Sequence, residues 1–337
     1  MTVTRPLRRP RILIVGCGDV GLRCAEQLRG RARVIALTSQ PSRRPALRAA
    51  GVVPLVGDLD VRRSLTRIAG LAPTVLHLAP PPKSGNDDRR TQALIAALTA
   101  RRRSPARASS CRVLRPVLRG LARAEASGIV PDRGAAPPRR AAGLRLVYAS
   151  TTGVYGDCGG AYIDETRTPR PATPRALRRV AAERRLRRAT ARGALAATIA
   201  RIPGIYAADR LPLARLAKGT PALVDADDVY TSHIHADDLA AIVLRLATHG
   251  RRSRAIHASD DSMLKMGEYF DRVADAFGVE RAPRVSRADA ERQLDPLLLS
   301  FMRESRRLSN RRLKQELHVR LRYPTVDDFL RANSPRT

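Results

Sequence analysis

The sequence predicts an α/β protein: a doubly wound parallel sheet followed by a smaller C-terminal α/β region. Three observations predict this. Short apolar, strand-like runs alternate with helix-period segments through the first hundred residues. A glycine-rich turn joins the first such run to the first helical segment. The alternation then breaks, and it resumes near residue 144 before giving way to a helical C-terminal stretch.

Each element can be justified in turn. Arg11–Val15 is a short apolar run, and Asp19–Arg29 has helical spacing through Val20, Leu22, Cys24, Ala25 and Leu28. Arg33–Leu37 and Val52–Val56 read as the second and third strands, with a helix over Arg43–Ala50 between them. Val61–Ala69 is expected to be helical, Thr74–Leu78 a fourth strand and Asp87–Ala100 an amphipathic helix. Residues 101–143 are rich in Arg, Ala, Pro and Ser, with a candidate basic helix at Cys111–Ala126. They read as a basic surface insertion, either a tolerated loop expansion or an anion- or nucleic-acid-binding arm. Leu144–Ser150 and Leu195–Ile202 continue the sheet, and between them lies a helix over Pro174–Thr190. Pro at its start and Thr173 before it suit a helix N-terminus. Ala236–Thr248 is helical, Ala255–Ala258 is a short seventh strand, and 261–335 is helical with breaks. The expected organisation is a dinucleotide-binding domain over 8–202, joined by 233–260, and a smaller substrate domain over 203–232 and 261–335.

Composition bounds the function. Of 337 residues, 43% are hydrophobic, and no run of apolar residues is long enough to span a bilayer. Met1–Pro10 is basic but leads straight into a short strand-like run, with no apolar stretch before a small-residue cleavage site, so no secretory signal is read. Cys17, Cys24, Cys111 and Cys158 are widely spaced, which argues against a disulfide framework or a zinc site and for a cytoplasmic protein. Lys and Arg total 63 against 31 acids, a formal net charge of +32, and only four of those cations are lysine. The arginines are spread along the whole chain, and aromatics are only 3%, too few for base stacking. No specific nucleic-acid partner is expected; the basic surface should attract anions such as dinucleotide phosphates.

The most specific motif is Gly16-Cys17-Gly18-Asp19-Val20-Gly21, a GxGxxG directly after a strand and opening a helix. Gly16 permits a tight turn, Gly18 lets the backbone approach a pyrophosphate, and Gly21 lets helix and strand pack closely. Asp19 and Val20 begin the helix whose unpaired amides and positive dipole end would face the phosphates. The end of the second strand selects between the nicotinamide dinucleotides. An acid there would hold a ribose 2′-hydroxyl, but the chain has Thr38-Ser39-Gln40-Pro41-Ser42-Arg43-Arg44. Hydroxyls at Thr38 and Ser39 followed by Arg43 suit a 2′-phosphate, so the expected Rossmann cofactor is NADP, with NAD as the alternative.

Further segments carry a resemblance. Gly57-Asp58-Leu59, His77-Leu78-Ala79, Ser150-Thr151-Thr152-Gly153-Val154-Tyr155-Gly156, Arg201-Ile202-Pro203-Gly204-Ile205-Tyr206, His233-Ile234-His235-Ala236-Asp237-Asp238-Leu239 and Tyr323-Pro324-Thr325 follow in order. Together they resemble the extended or atypical short-chain dehydrogenase/reductases of the NAD-dependent epimerase/dehydratase type. The resemblance implies an adenine contact at Asp58 and Leu59, and a nicotinamide-side wall at Leu78 and Ala79. It also implies a Ser/Thr catalytic position at Thr151, and a sugar-like or nucleotide-linked small-molecule substrate. Members act as oxidoreductases, epimerases or dehydratases, as monomers or dimers.

The departure from the family lies in its Tyr-x-x-x-Lys pair. That frame, read back from Glu183, lands on Arg175 and Arg179. Arginine is permanently charged and has no acceptor, so neither can be the general base. Arg179 is assigned either to the ribose hydroxyls of the cofactor or to a solvated pair with Glu183. Tyr155 is the nearest alternative proton donor, while Asp157, Asp164 and Glu165 read as loop acids. His235 reads as a structural hydrogen-bonding residue, and His233 and His235 are not read as a metal pair. Cys17 reads as a small apolar filler or as a thiol with its pKa lowered by the helix N-terminus. The alternative function is a non-catalytic NADP-binding redox sensor.

Overall fold

The computed structural model describes residues 9–100 and 143–335. The basic helix expected at Cys111–Ala126, and all but the last residue of the 101–143 insertion, lie outside the described residues. Seven strands form the central sheet: β1 (Arg11–Val15), β2 (Arg33–Thr38), β3 (Val53–Val56), β4 (Thr74–His77), β5 (Arg145–Thr151), β6 (Ala196–Ile202) and β7 (Ala255–His257). They stand in the order β7-β6-β5-β4-β1-β2-β3, and every neighbouring pair is parallel. The sheet reverses direction of growth between β1 and β4. In such sheets ligands sit at the carboxyl ends of the strands at this reversal.

The helices are α1 (Asp19–Gln27), α2 (Arg44–Ala49), α3 (Arg89–Thr99), α4 (Pro174–Ala191), α5 (Leu213–Ala217), α6 (Ala236–His249), α7 (Met266–Phe277), α8 (Arg287–Gln293), α9 (Pro296–Phe301), α10 (Arg311–Leu317) and α11 (Val326–Asn333). The apolar run of β1 follows from its place. Ile12 and Ile14 pack on one face with Leu239, Ile242 and Val243 of α6. Leu13 and Val15 pack on the other with Leu94 and Leu98 of α3 and Ala182 and Leu186 of α4. Successive side chains point to opposite faces, so a strand covered on both sides is apolar throughout. Complete burial of each such side chain contributes about 1.5–3 kcal/mol.

Helix starts follow the local chemistry. Asp88 accepts from Thr91 N at 2.9 Å, and Thr173 accepts from Ala176 N at 3.2 Å. Thr325 and Asp328 form a reciprocal capping box on α11. One expected helix is corrected: Val61–Ala69 contains only a 3-10 turn at Arg62–Leu65. There the Ser64 hydroxyl donates to Val61 O at 2.6 Å and accepts from Asp58 N at 2.8 Å, tying the backbone into a local turn. Leu65 and Ile68 are then fully buried against the sheet.

A second apolar cluster gathers Tyr206, Leu216, Phe270, Val273 and Phe329 from beyond β6. Two-residue strands cross-brace this region: Ala222–Leu223 pairs with Arg284–Val285, and Tyr230–Thr231 with Leu264–Lys265. Gly204–Tyr206 runs parallel to His233–His235. These braces lie beyond the carboxyl end of β6. Among the described residues no helix is long and apolar enough to cross a membrane.

Candidate active site

The turn after β1 has the geometry its glycines require. Gly16 sits at φ +86°, and a Cβ there would lie 2.5 Å from the backbone of Ala79, at the end of neighbouring β4. A Cβ on Gly21 would come within 3.3 Å of Cys17 Sγ, Gly16 O and Ile14, so α1 lies close on the sheet. A Cβ on Gly18 would meet nothing within 4 Å. The space over the helix N-terminus is open, as a phosphate cradle needs. Asp19 begins α1, and Arg23 Nε (2.9 Å) and Arg210 Nη2 (3.1 Å) offset its negative charge at this anion-attracting end. Val20 is half-buried beside the loop. Cys17 is buried, and desolvation pushes its thiol up to about 11 despite the charge of nearby Arg43. It is therefore a filler, and the lowered-pKa alternative falls.

At the end of β2, Thr38 is buried and its Oγ1 accepts from Gln40 N at 3.2 Å, while Ser39 is exposed. No carboxylate of the described residues forms an ion pair with Arg43 or Arg44. Asp58 is half-buried, with one oxygen on Asp60 N at 2.9 Å, and Leu59 is buried in the sheet core beside Leu37. Leu78 N bonds Val15 O at 2.8 Å, which holds Ala79 against Gly16. This set, open over Gly18 and bordered by an unpaired Arg43, fits a dinucleotide phosphate.

Beyond the carboxyl ends of β5 and β6 lies a cavity of about 520 Å³. Its wall includes Thr151, Gly153, Arg175, Arg179, Pro203, Gly204, Arg215, Tyr230, His233, Tyr269, Glu304 and Arg306. Thr151, at the end of β5, thus shares one wall with Arg175 and Arg179 of α4. Thr151 Oγ1 and Glu304 Oε2 both lie within 3.8 Å of one point beside Gly153, where a Cβ would stand. Glu304 is paired with Arg306 at 2.9 Å. Arg179 donates to Ala149 O at 2.6 Å and to Tyr148 Oη at 3.2 Å. The solvated Arg179–Glu183 pair is not formed, because the buried Glu183 carboxylate is taken by Arg201 and Ser150 instead.

Tyr155 is not brought to the cavity. It is 1% exposed and sits in a buried polar cluster behind β5 and β6. Arg201 holds Glu183 through two contacts, Nη2–Oε2 at 2.8 Å and Nε–Oε1 at 3.2 Å. Ser150 Oγ donates to the same carboxylate at 2.6 Å. Arg201 Nη1 donates to Tyr155 Oη at 2.6 Å, and Tyr155 donates in turn to His257 Nε2 at 2.6 Å. His257 Nδ1 faces Ser309 O at 2.9 Å, which assigns the proton to Nδ1 and leaves Nε2 an acceptor. Burial pushes the Tyr155 phenol up to about 12 and the His257 imidazole down to about 4. The expectation that Tyr155 supplies a proton to substrate is corrected on this geometry. The loop acids are structural too: Glu165 accepts from His257 N at 2.9 Å, Asp157 from Ser305 N at 2.8 Å, and Asp164 from Thr166 N at 2.8 Å. His235 caps α6, its Nδ1 accepting from Asp237 N at 3.3 Å, whereas His233 stacks on Tyr269 in the cavity wall.

Residues 12–258 match the NAD dependent epimerase/dehydratase family. The chain belongs to that family. No curated protein matches it. Among solved structures it resembles a functionally unknown conserved protein from Silicibacter pomeroyi, at 25% identity and TM-score 0.72, covering 96% of this chain and 97% of that one. It is similar in fold to UDP-glucose 4-epimerase from Thermotoga maritima, solved with UDP-glucose, at 14% identity and TM-score 0.67, covering 95% and 96%. The dTDP-glucose 4,6-dehydratase DesIV from Streptomyces venezuelae, solved with NAD, is similar at 18% identity and TM-score 0.68, covering 95% of each chain.

Glu304, Arg306, Arg215 and Tyr269 join this family site without any motif to announce them. Glu304 and Arg306 lie in the loop after α9, and Arg215 on α5, where the chain shows no diagnostic spacing. The one signal in the chain was negative: arginines stand at the family's Tyr and Lys positions, so an acid–base group, if present, would lie elsewhere.

Proposed function

We propose that the protein is an NAD(P)-dependent oxidoreductase, epimerase or dehydratase, with NADP the favoured cofactor, acting on a sugar-like or nucleotide-linked substrate. The carrying observation is the cavity that sets Thr151 and Glu304 around one point at the carboxyl edge of the sheet. Gly16, Gly18, Asp19, Val20 and Gly21 would hold the pyrophosphate, and Thr38, Ser39 and Arg43 the 2′-phosphate. Asp58, Leu59, Leu78 and Ala79 would line the adenine and nicotinamide walls. Residues 8–202 with 233–260 would form the cofactor domain, and 203–232 with 261–335 the substrate domain. The chemistry such a cofactor supplies is reversible hydride exchange at its nicotinamide ring.

The chain's own residues divide the remaining work. Thr151 hydrogen-bonds a substrate oxygen. Glu304, the carboxylate on the cavity wall, accepts or returns the proton of that oxygen in place of the family's tyrosine. Arg179, whose fork already holds the Ala149 carbonyl, reaches the ribose hydroxyls as the family's lysine would. A non-catalytic NADP sensor is the second reading, favoured by the burial of Tyr155 and by arginines at the Tyr and Lys positions.

Calorimetry with NADPH and NADH tests the cofactor half. Gly18→Asp places bulk and negative charge over the phosphate cradle and should abolish binding; unchanged affinity would overturn the assignment. Incubation with NADP and nucleotide sugars separates the readings. Turnover lost in Glu304→Gln with cofactor affinity retained supports the enzyme, while cofactor binding with no turnover of any nucleotide sugar supports the sensor.

A further inference from the structure

We infer that the cavity receives an oxyanionic substituent of the substrate, a carboxylate or a phosphate, on the guanidinium of Arg175. The inference deepens the reading of this cavity as the substrate site and rests on it. Arg175 occupies the second position of α4 and lines the cavity. Its guanidinium makes no hydrogen bond or ion pair with any described residue. It lies over the ring of Phe301, whose centroid is 4.6 Å from Arg175 Cζ. Stacking on an aromatic ring covers a guanidinium's face and leaves its N–H edges in the plane, the arrangement that grips a planar oxyanion with two parallel bonds.

No carboxylate of the described residues forms an ion pair with Arg175. Glu304, whose field supports the Arg175 charge, is itself paired with Arg306 at 2.9 Å. Arg179, one turn further along α4, donates only to the neutral Ala149 carbonyl and Tyr148 hydroxyl. Arg215 also lines the cavity, donates to Pro221 O at 2.9 Å and lies 4.3 Å from the Phe270 ring centroid, with no ion pair. Burial pulls Arg215 down to about 10, a desolvation that the charge of Asp228 offsets only in part. By contrast Arg201, the most deeply buried arginine, has a carboxylate held by two contacts. Three arginines without an ion-pair partner, on a concave wall whose carboxylate Glu304 is held by Arg306, favour a negatively charged occupant, and the partial exclusion of water strengthens the attraction.

The test must separate this site from a surface that attracts anions everywhere. The full-length protein is titrated calorimetrically with glucose, glucuronate, glucose 6-phosphate and UDP-glucose. The same titrations use Arg175→Gln, Arg175→Lys and Arg252→Gln. Arg252 is exposed beside the amino end of β7, at the opposite edge of the sheet. The expected result is that glucuronate or glucose 6-phosphate binds at least about tenfold more tightly than glucose. Arg175→Gln should erase that margin, Arg175→Lys restore part of it and Arg252→Gln leave it intact. Whichever anionic sugar shows the margin identifies the oxyanion. Equal binding of charged and neutral sugars, or equal losses in Arg175→Gln and Arg252→Gln, would overturn the subsite. Failure of UDP-glucose to bind, with the Arg175-dependent margin intact, would remove the nucleotide-linked reading and leave the oxyanion site standing.

Discussion

Arg201 and Arg175 lie on neighbouring elements, β6 and α4, and their surroundings differ in one respect that matters. Around Arg201 the donors and acceptors are closely matched: Glu183 takes two of its N–H groups, Tyr155 a third, and His257 passes the chain on to Ser309. Around Arg175 and Arg179 there are neutral acceptors, an aromatic face and open volume. A buried ion pair holds its geometry because a lone buried charge is so costly. A cavity wall with unmatched charge holds little by itself and is ready for a ligand. In a chain this rich in arginine, charge alone distinguishes nothing; the presence or absence of a carboxylate partner does.

The largest effect should come from breaking the matched cluster. Glu183→Ala strands the Arg201 charge and leaves Ser150 without its acceptor, so unfolding stability should fall by about 3–5 kcal/mol. Urea denaturation measures it, and a loss under about 1 kcal/mol would erase the contrast between the two regions.

Acid should attack the same cluster next. His257 is buried and neutral, with its folded pKa pushed down from the ordinary 6.5 to about 4. Its unfolded form therefore binds the proton first. The stability it contributes is complete above about pH 6.5 and is lost as pH falls toward about 4. Full loss corresponds to about 3 kcal/mol, and His257→Gln should flatten the stability–pH slope across that window. An unchanged slope would remove His257 from the acid response.

At the phosphate turn, Arg43→Ala with Arg44→Ala should weaken NADPH about tenfold, roughly 1.4 kcal/mol, and NADH far less. Equal losses for both would dismiss the 2′-phosphate assignment. The smallest effect belongs to the open wall. Arg175→Gln should change unfolding stability by less than about 0.5 kcal/mol, because its guanidinium has no hydrogen bond or ion pair to lose. A larger loss would show that the wall is structural after all.

Much of the fold was legible in the chain because its signals are local. The β1 turn needs glycine at φ +86°, and α4 needs a capping hydroxyl and tolerates proline at its start. Such requirements leave the same residues at the same spacing wherever they occur. The Val61–Ala69 segment misled because its apolar spacing suits a helix, while the Ser64 hydroxyl and the burial of Leu65 and Ile68 chose a tighter turn. Tyr155 misled for a related reason: its place in the loop after Thr151 fits a catalytic residue, but its hydroxyl faces Arg201 and His257, over forty residues and over a hundred residues away.

By itself the sequence determined the parallel sheet, the glycine turn over α1 and the loss of the tyrosine and lysine from their frame. These depend on backbone conformation, side-chain period and residue identity, all written within a few residues of each other. Only the tertiary structure decided that Glu304 and Thr151 border one cavity, that Glu183 belongs to Arg201 and that Arg175 has no ion-pair partner among the described residues. Pairing of charges is a property of space, set by how the C-terminal segment folds back over the sheet, and no spacing along the chain encodes it.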